Sequence, residues 1–323
     1  MTSTASTRCS LRSRQPACGR WRPYSPLRYR AMLNAFSAGV KVVDPGATVI
    51  TAGTAPIGEA RDGEGRMTPV RFWQALLCLG LAPRVDVHAC PDPAHFDVLS
   101  HHPLSVGDPT RGSAGPLDVA VSDFERIARL LRIAQRHRLV VPAGGQRLAI
   151  TELNWDSRPP SPRGVLSRRM VPFVSAALYL LWRQGVDLVL WQIVRDPVAL
   201  PGGRLHPAGL YRIDPQRPFD PAGDRAKPAL RAFRMPFVAV RPSTHSVHIW
   251  GLMGHAGRRT AVVERRRRGR WSALRRLRAD GSGMVTGTLP MRGRARLRLV
   301  DARTSAASAT WTVGARRDLV PRP

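Results

Sequence analysis

The residues best placed to do chemistry in this 323-residue chain centre on one carboxylate, Glu152. It stands in Arg147–Asp156, which reads Arg-Leu-Ala-Ile-Thr-Glu-Leu-Asn-Trp-Asp. The apolar run Leu148-Ala149-Ile150 stops at Thr151-Glu152, as a buried strand does when its last residues emerge at one end of a sheet. A carboxylate is costly inside a core, so at such a place it faces a cleft or a partner. The plainer of the two is an ion pair with one of the chain's many arginines. Two other stretches end in the same way: Phe96–Ser100 runs into His101-His102-Pro103, and Val186–Leu190 into Trp191-Gln192.

The elements that must hold these groups alternate. A helix opens at Ser25-Pro26, with Tyr29, Met32, Leu33, Phe36 and Val40 at helical spacing, and Asp44-Pro45-Gly46 ends it. Thr48–Gly53 reads as a buried strand and Pro69–Leu79 as a helix carrying Phe72, Leu76 and Leu77 on one face. Ser122-Asp123-Phe124-Glu125 is a capping-box pattern; after it the stripe Phe124, Ile127, Ala128, Leu131 and Ala134 faces inward and Arg126, Arg129, Arg132 and Arg136 face water. Helices are also expected over Met170–Gln184 and Pro228–Met235. Apolar strands alternating with amphipathic helices predict an α/β fold with a parallel sheet.

From Pro236 the pattern changes to short alternating segments: Phe237–Val240, Val247–Trp250, Thr260–Glu264, Trp271–Leu277, Met284–Leu289, Ala295–Leu299 and Thr310–Val313. These predict a small antiparallel β-sandwich over 236–323, with Arg265–Arg268 as a solvated hairpin tip before Gly269. Residues 1–22 show no apolar period and are expected to form a disordered or non-native leader ahead of a domain over 23–235.

Composition narrows the function classes. Lys and Arg total 51 against 22 Asp and Glu, a net charge of +29, yet only Lys41 and Lys227 are lysines. Arginine spread along the chain without any nucleic-acid motif reads as incidental charge, with no specific nucleic-acid partner; polyanion binding is the minority alternative. The longest apolar run, Val171–Trp182, falls short of the ~20 residues that a spanning helix needs. Met1–Arg20 lacks the apolar core of a signal peptide. No metal-ligand spacing and no cofactor motif is present. Cys78 and Cys90 either form a disulfide or remain two buried thiols.

The motifs Ile150-Thr151-Glu152-Leu153-Asn154-Trp155, His101-His102-Pro103 and a later strand ended by Trp191 together resemble the second half of a (β/α)8-barrel glycoside hydrolase. The likeness is to the clan A retaining enzymes, in particular the bacterial cellulase-like and xylosidase-like families that carry a C-terminal β-domain. It covers roughly Tyr24 to the end. The resemblance implies a partial TIM barrel, strands five to eight, and a carbohydrate substrate. It makes Glu152 the nucleophile, which attacks the anomeric carbon to give a glycosyl-enzyme. It also implies that His102 orients that carboxylate or binds a sugar hydroxyl, that Trp191 floors the sugar site, and that His101, Asn154 and Trp155 line it. The alternatives are that the histidines only cap their strand and that Trp191 is core.

Three departures qualify the resemblance. The family's acid/base glutamate stands in an Asn-Glu-Pro tripeptide, which this chain lacks, and Leu104 follows His-Pro where many relatives have Tyr. Retaining chemistry needs two carboxyl groups ~5–5.5 Å apart. A full barrel takes ~250 residues, so the expectation is a truncated or mis-started chain that self-associates through exposed barrel edges and hydrolyses no glycoside. A full-length relative is expected outside the cell. Sugar binding without catalysis is the competing function.

Overall fold

The computed structural model describes residues 24–59, 66–80, 87, 89–104, 107–198 and 206–318. The leader expected over 1–22 and the Pro201-Gly202-Gly203 loop lie outside them.

In chain order the elements are α1 (Tyr24–Val43), α2 (Pro69–Leu76), β1 (Ala94–His95), β2 (Val98–His101), α3 (Glu125–Arg136), β3 (Val140–Val141) and β4 (Arg147–Leu153). Then follow β5 (Ser157–Arg158), β6 (Val165–Leu166), α4 (Ser167–Arg183), β7 (Val186–Trp191), β8 (Tyr211–Arg212), β9 (Arg225–Ala226) and α5 (Pro228–Arg234). The last part is all strand: β10 (Phe237–Ser243), β11 (Ser246–Leu252), β12 (Thr260–Arg267), β13 (Arg270–Arg278), β14 (Met284–Pro290), β15 (Ala295–Asp301) and β16 (Trp311–Val313). The chain divides into two compact units, one of Met1–Leu104, Gly112–Leu153 and Gln184–Leu190, the other of Ser105–Arg111, Asn154–Arg183 and Trp191–Pro323.

The first unit is α/β. Its main sheet has the order β2-β4-β7, with β2 and β4 parallel from Val98↔Arg147 to His101↔Ile150. The strand expected at Thr48–Gly53 is reduced to two parallel bridges, Ile50↔Val98 and Thr54↔His101. Leu148, Ala149 and Ile150 are buried because a central parallel strand is covered on both faces. β7 departs from the pattern of a buried strand, since Leu188 and Leu190 are 40% and 45% exposed. Among the described residues the strand order does not close into a barrel.

The helices follow their apolar periods with two corrections. In α1 the buried stripe is Pro26, Leu33 and Ser37, while Met32 and Phe36 lie one residue round the helix and are exposed. In α3 the stripe Ile127, Ala128, Leu131 and Ala134 is buried as expected. Its start differs: Val121–Asp123 is a 3-10 turn, the helix begins at Glu125, and Ser122 Oγ is buried without a hydrogen-bond partner among the described residues. The Glu125 amide donates instead to Gln184 Oε1 at 2.7 Å, so a side chain distant in sequence performs the cap. Cys78 and Cys90 are joined as a disulfide.

The second unit is dominated by two antiparallel sheets, β10-β11-β14 and β13-β12-β15-β16. Their inward residues form one core that includes Val238, Val247, Ile249, Val263, Leu297 and Leu299. Helix α4 joins that core through Ala176 and Tyr179, whose ring meets Trp250 edge-on at 5.6 Å. Every strand expected after Pro236 is present within a few residues of its expected ends.

Candidate active site

Glu152 belongs to β4, two residues past the last buried position of its apolar run, with 32% of its side chain exposed. Its Oε2 lies 3.5 Å from Nδ1 of His102, the residue directly after β2. The parallel pairing of β2 with β4 brings the two strand ends, and so these two groups, side by side. The other ring nitrogen, His102 Nε2, is 2.8 Å from Thr151 Oγ1, and Thr151 Oγ1 is 2.5 Å from Ser100 Oγ.

One assignment of protons satisfies the whole chain. Thr151 donates its hydroxyl to His102 Nε2, Ser100 donates to Thr151, and His102 Nδ1–H points at the carboxylate. Burial pushes the His102 pKa below its usual value, against the opposing pull of Glu152. A neutral imidazole therefore faces the carboxylate near pH 7.

The position of His102 depends on a residue that sequence reasoning passed over. A Cβ on Gly53 would stand 2.0 Å from His102 Nε2, far closer than two such atoms can approach. Gly53 follows the segment that bridges to β2, and its missing side chain is the space that the imidazole fills. The only signal in the sequence is a glycine closing the run Thr48–Ala52.

His101 points the other way. It is fully buried, with Nδ1 2.9 Å from Thr54 Oγ1, Nε2 2.9 Å from the Val119 carbonyl, and its ring stacked at 5.9 Å on Phe124. Trp73 Nε1 donates to the same Thr54 hydroxyl at 3.0 Å. Burial, with the Val119 hydrogen bond opposing it, lowers the His101 pKa to about 4. Both nitrogens are occupied inside the core, so His101 offers a ligand nothing.

The remaining expected residues, Asn154, Trp155 and Trp191, belong to the second unit. Asn154 donates to Gln192 Oε1 at 2.6 Å. Trp155 is buried, donates to the Gly107 carbonyl at 2.9 Å and packs on Phe173 and Trp191. Trp191 is half-buried, donates to the Ala208 carbonyl at 2.8 Å and meets Phe233 at 5.6 Å. A cavity of about 10 Å³ beside Trp155, Trp191, Ser157 and Lys227 has room for one water, not for a sugar.

A buried ion pair in that unit has no counterpart among the expected residues. Lys227 Nζ lies 2.5 Å from Asp196 Oδ1, 3.0 Å from Ser157 Oγ and 2.9 Å from the Pro207 carbonyl. Its three protons thus meet three acceptors, and burial lowers its pKa against the pull of Asp196. The one signal in the sequence is that Lys227 is one of only two lysines in a chain rich in arginine. Lys41, the other lysine, also pairs with an acid, Asp97, at 3.0 Å.

No group of three or more metal-ligating side chains occurs among the described residues, and no described helix is long and apolar enough to cross a membrane. No family model and no curated protein matches the sequence. Among solved structures the chain is similar to a family 39 glycoside hydrolase from the gut symbiont Bacteroides cellulosilyticus WH2, with a TM-score of 0.40 and 13% identity over 87% of this chain and 63% of that one. A second match is an engineered protein, at a TM-score of 0.21 and 12% identity over 68% of this chain and 49% of that one. A third is a β-glucosidase from Listeria innocua in complex with glucose, at a TM-score of 0.18 and 9% identity over 69% and 37%. Likeness at these TM-scores carries no argument about chemistry, so any functional reading rests on the residues themselves.

Proposed function

We propose that Glu152 is the nucleophilic carboxylate of a retaining glycoside-hydrolase site on a partial (β/α)8 framework. One observation carries the reading: a partly exposed carboxylate at the end of a parallel strand pair, with a neutral imidazole facing one of its oxygens at 3.5 Å. His102 Nδ1 faces Oε2, and in this reading Oε1 attacks the anomeric carbon. Thr151 and Ser100 keep the imidazole in the tautomer that this requires. His101 supports the strand from within the core and Gly53 makes room for the ring.

The chemistry stops short of full turnover. The chain has no Asn-Glu-Pro tripeptide to supply a general acid, so a poor leaving group would stay unprotonated and in place. A glycoside whose leaving group departs as a stable anion needs no such acid. The test is a panel of fluorinated dinitrophenyl glycosides, which form long-lived glycosyl-enzymes. The expected result is a covalent mass increase that maps to the peptide holding Glu152 and vanishes in Glu152→Gln, with no turnover of alkyl glycosides. Labelling at another residue, or none across the panel, would overturn the assignment.

A second reading, sugar binding without catalysis, draws support from Trp191, a partly exposed ring braced by Trp155 and Phe233. Glycan binding that survives Glu152→Ala and falls with Trp191→Ala would favour it.

A further inference from the structure

Away from Glu152, the hairpin of β12 and β13 carries an unusual charge. Between Thr260 and Arg278 there are eight arginines and a single acid, Glu264. Glu264 is already taken by Arg298. Arg266, Arg267, Arg268, Arg270, Arg275, Arg276 and Arg278 are exposed, and none pairs with a carboxylate among the described residues. A charge run of this kind is ordinarily a solvated face. Its placement here is more particular.

The pairing of β15 with β12 ends at Arg265↔Leu297, whereas β12 and β13 stay paired as far as Arg267↔Arg270. Since β13 is an edge strand, the stretch from Arg266 to Trp271 is a two-stranded ribbon with no third strand paired to it among the described residues. Opposed residues share a face, so Arg266 and Trp271 lie on one side, and Arg267 and Arg270 on the other. The turn itself has φ of +47° at Arg268 and +81° at Gly269, the two left-handed positions of a tight hairpin turn. The first of these positions favours Asn, Asp or Gly; an arginine there accepts backbone strain and puts a fifth cation at the tip, beside Arg265, Arg266, Arg267 and Arg270.

We propose that this ribbon is a binding arm for duplex DNA, inserted into the major groove and held by phosphates on both walls. A two-stranded ribbon matches a groove about 12 Å wide, and cations on both faces and at the turn suit a partner that surrounds the arm. A linear acidic polysaccharide would meet one face only. Single-stranded nucleic acid needs open aromatic faces for its bases, and the Trp271 ring is covered by the Arg298 guanidinium at 4.3 Å. The major groove of duplex RNA is too narrow and deep for a ribbon. Binding of this kind reads no sequence and depends steeply on salt.

The test compares three variants of the full chain on a short mixed-sequence DNA duplex across a salt series. Replacing Arg266, Arg267, Arg268 and Arg270 by Gln should flatten the plot of log affinity against log salt by about 3 to 4 units of slope, at roughly one unit for each phosphate no longer neutralised. The affinity near physiological salt should fall more than about a hundredfold. Replacing the exposed Arg129, Arg136, Arg158 and Arg163 by Gln removes the same charge elsewhere and should change the slope by less than about one unit. Arg268→Gly relieves the turn, so it should keep or raise thermal stability while lowering the slope by about one unit. Equal losses in both quadruple variants would overturn the proposal in favour of diffuse charge. So would hairpin-dependent binding that is tighter to heparin, to single-stranded DNA or to duplex RNA than to duplex DNA.

Discussion

Two acid–base pairs in this molecule, Glu152 with His102 and Asp196 with Lys227, are built from similar parts to different ends. The second pair is sealed: both side chains are under 10% exposed, the contact is 2.5 Å, and every ammonium proton has an acceptor. No ammonium proton remains free for a ligand, and the contacts tie Lys227 to three segments distant from it in sequence. The first pair is left loose, at 3.5 Å with a carboxylate about one-third exposed, and its other oxygen has no hydrogen-bond partner among the described residues. A buried ammonium with all its protons bonded makes a clamp, whereas a loosely held, partly exposed carboxylate stays within reach of a ligand.

The contrast can be broken by single substitutions. Lys227→Met should have the largest effect, about 3–5 kcal/mol of lost stability, because it strands a buried carboxylate; chemical denaturation reads this directly. Acid should reveal His101 next. Between pH 6.5 and 4 the unfolded chain binds a proton that the folded core refuses, so stability falls as pH is lowered, by roughly 3 kcal/mol over that window. His101→Gln should flatten this part of the pH–stability curve. Gly53→Ala should cost about 1–3 kcal/mol by crowding the imidazole, and should slow glycosyl labelling at Glu152 well beyond what the stability loss explains. Glu152→Gln should change stability by less than about 1 kcal/mol while abolishing the labelling. Were Glu152→Gln as disruptive as Lys227→Met, both pairs would be clamps and the distinction would fall.

The parts that were legible in the sequence are those written in short-range pattern. The period-two alternation and turn residues after Pro236 located the strands of the two antiparallel sheets, and the break after Ile150 located the strand end that carries Glu152. What escaped was set by distant neighbours. Ser122 has the right spacing to cap α3, but Gln184, 59 residues away, takes the Glu125 amide. Leu188 and Leu190 read as core because an apolar strand carries no mark of whether anything will cover it. The role of Gly53 is visible only once His102 is seen lying over its Cα.

The two lysines leave the surface with one addressable amine on a side chain. Arginine resists acylation under conditions that modify lysine, and Lys227 has only 8% of its side chain accessible, against 35% for Lys41. Among side-chain amines, a label or tether directed at lysine will therefore favour Lys41, at the end of α1.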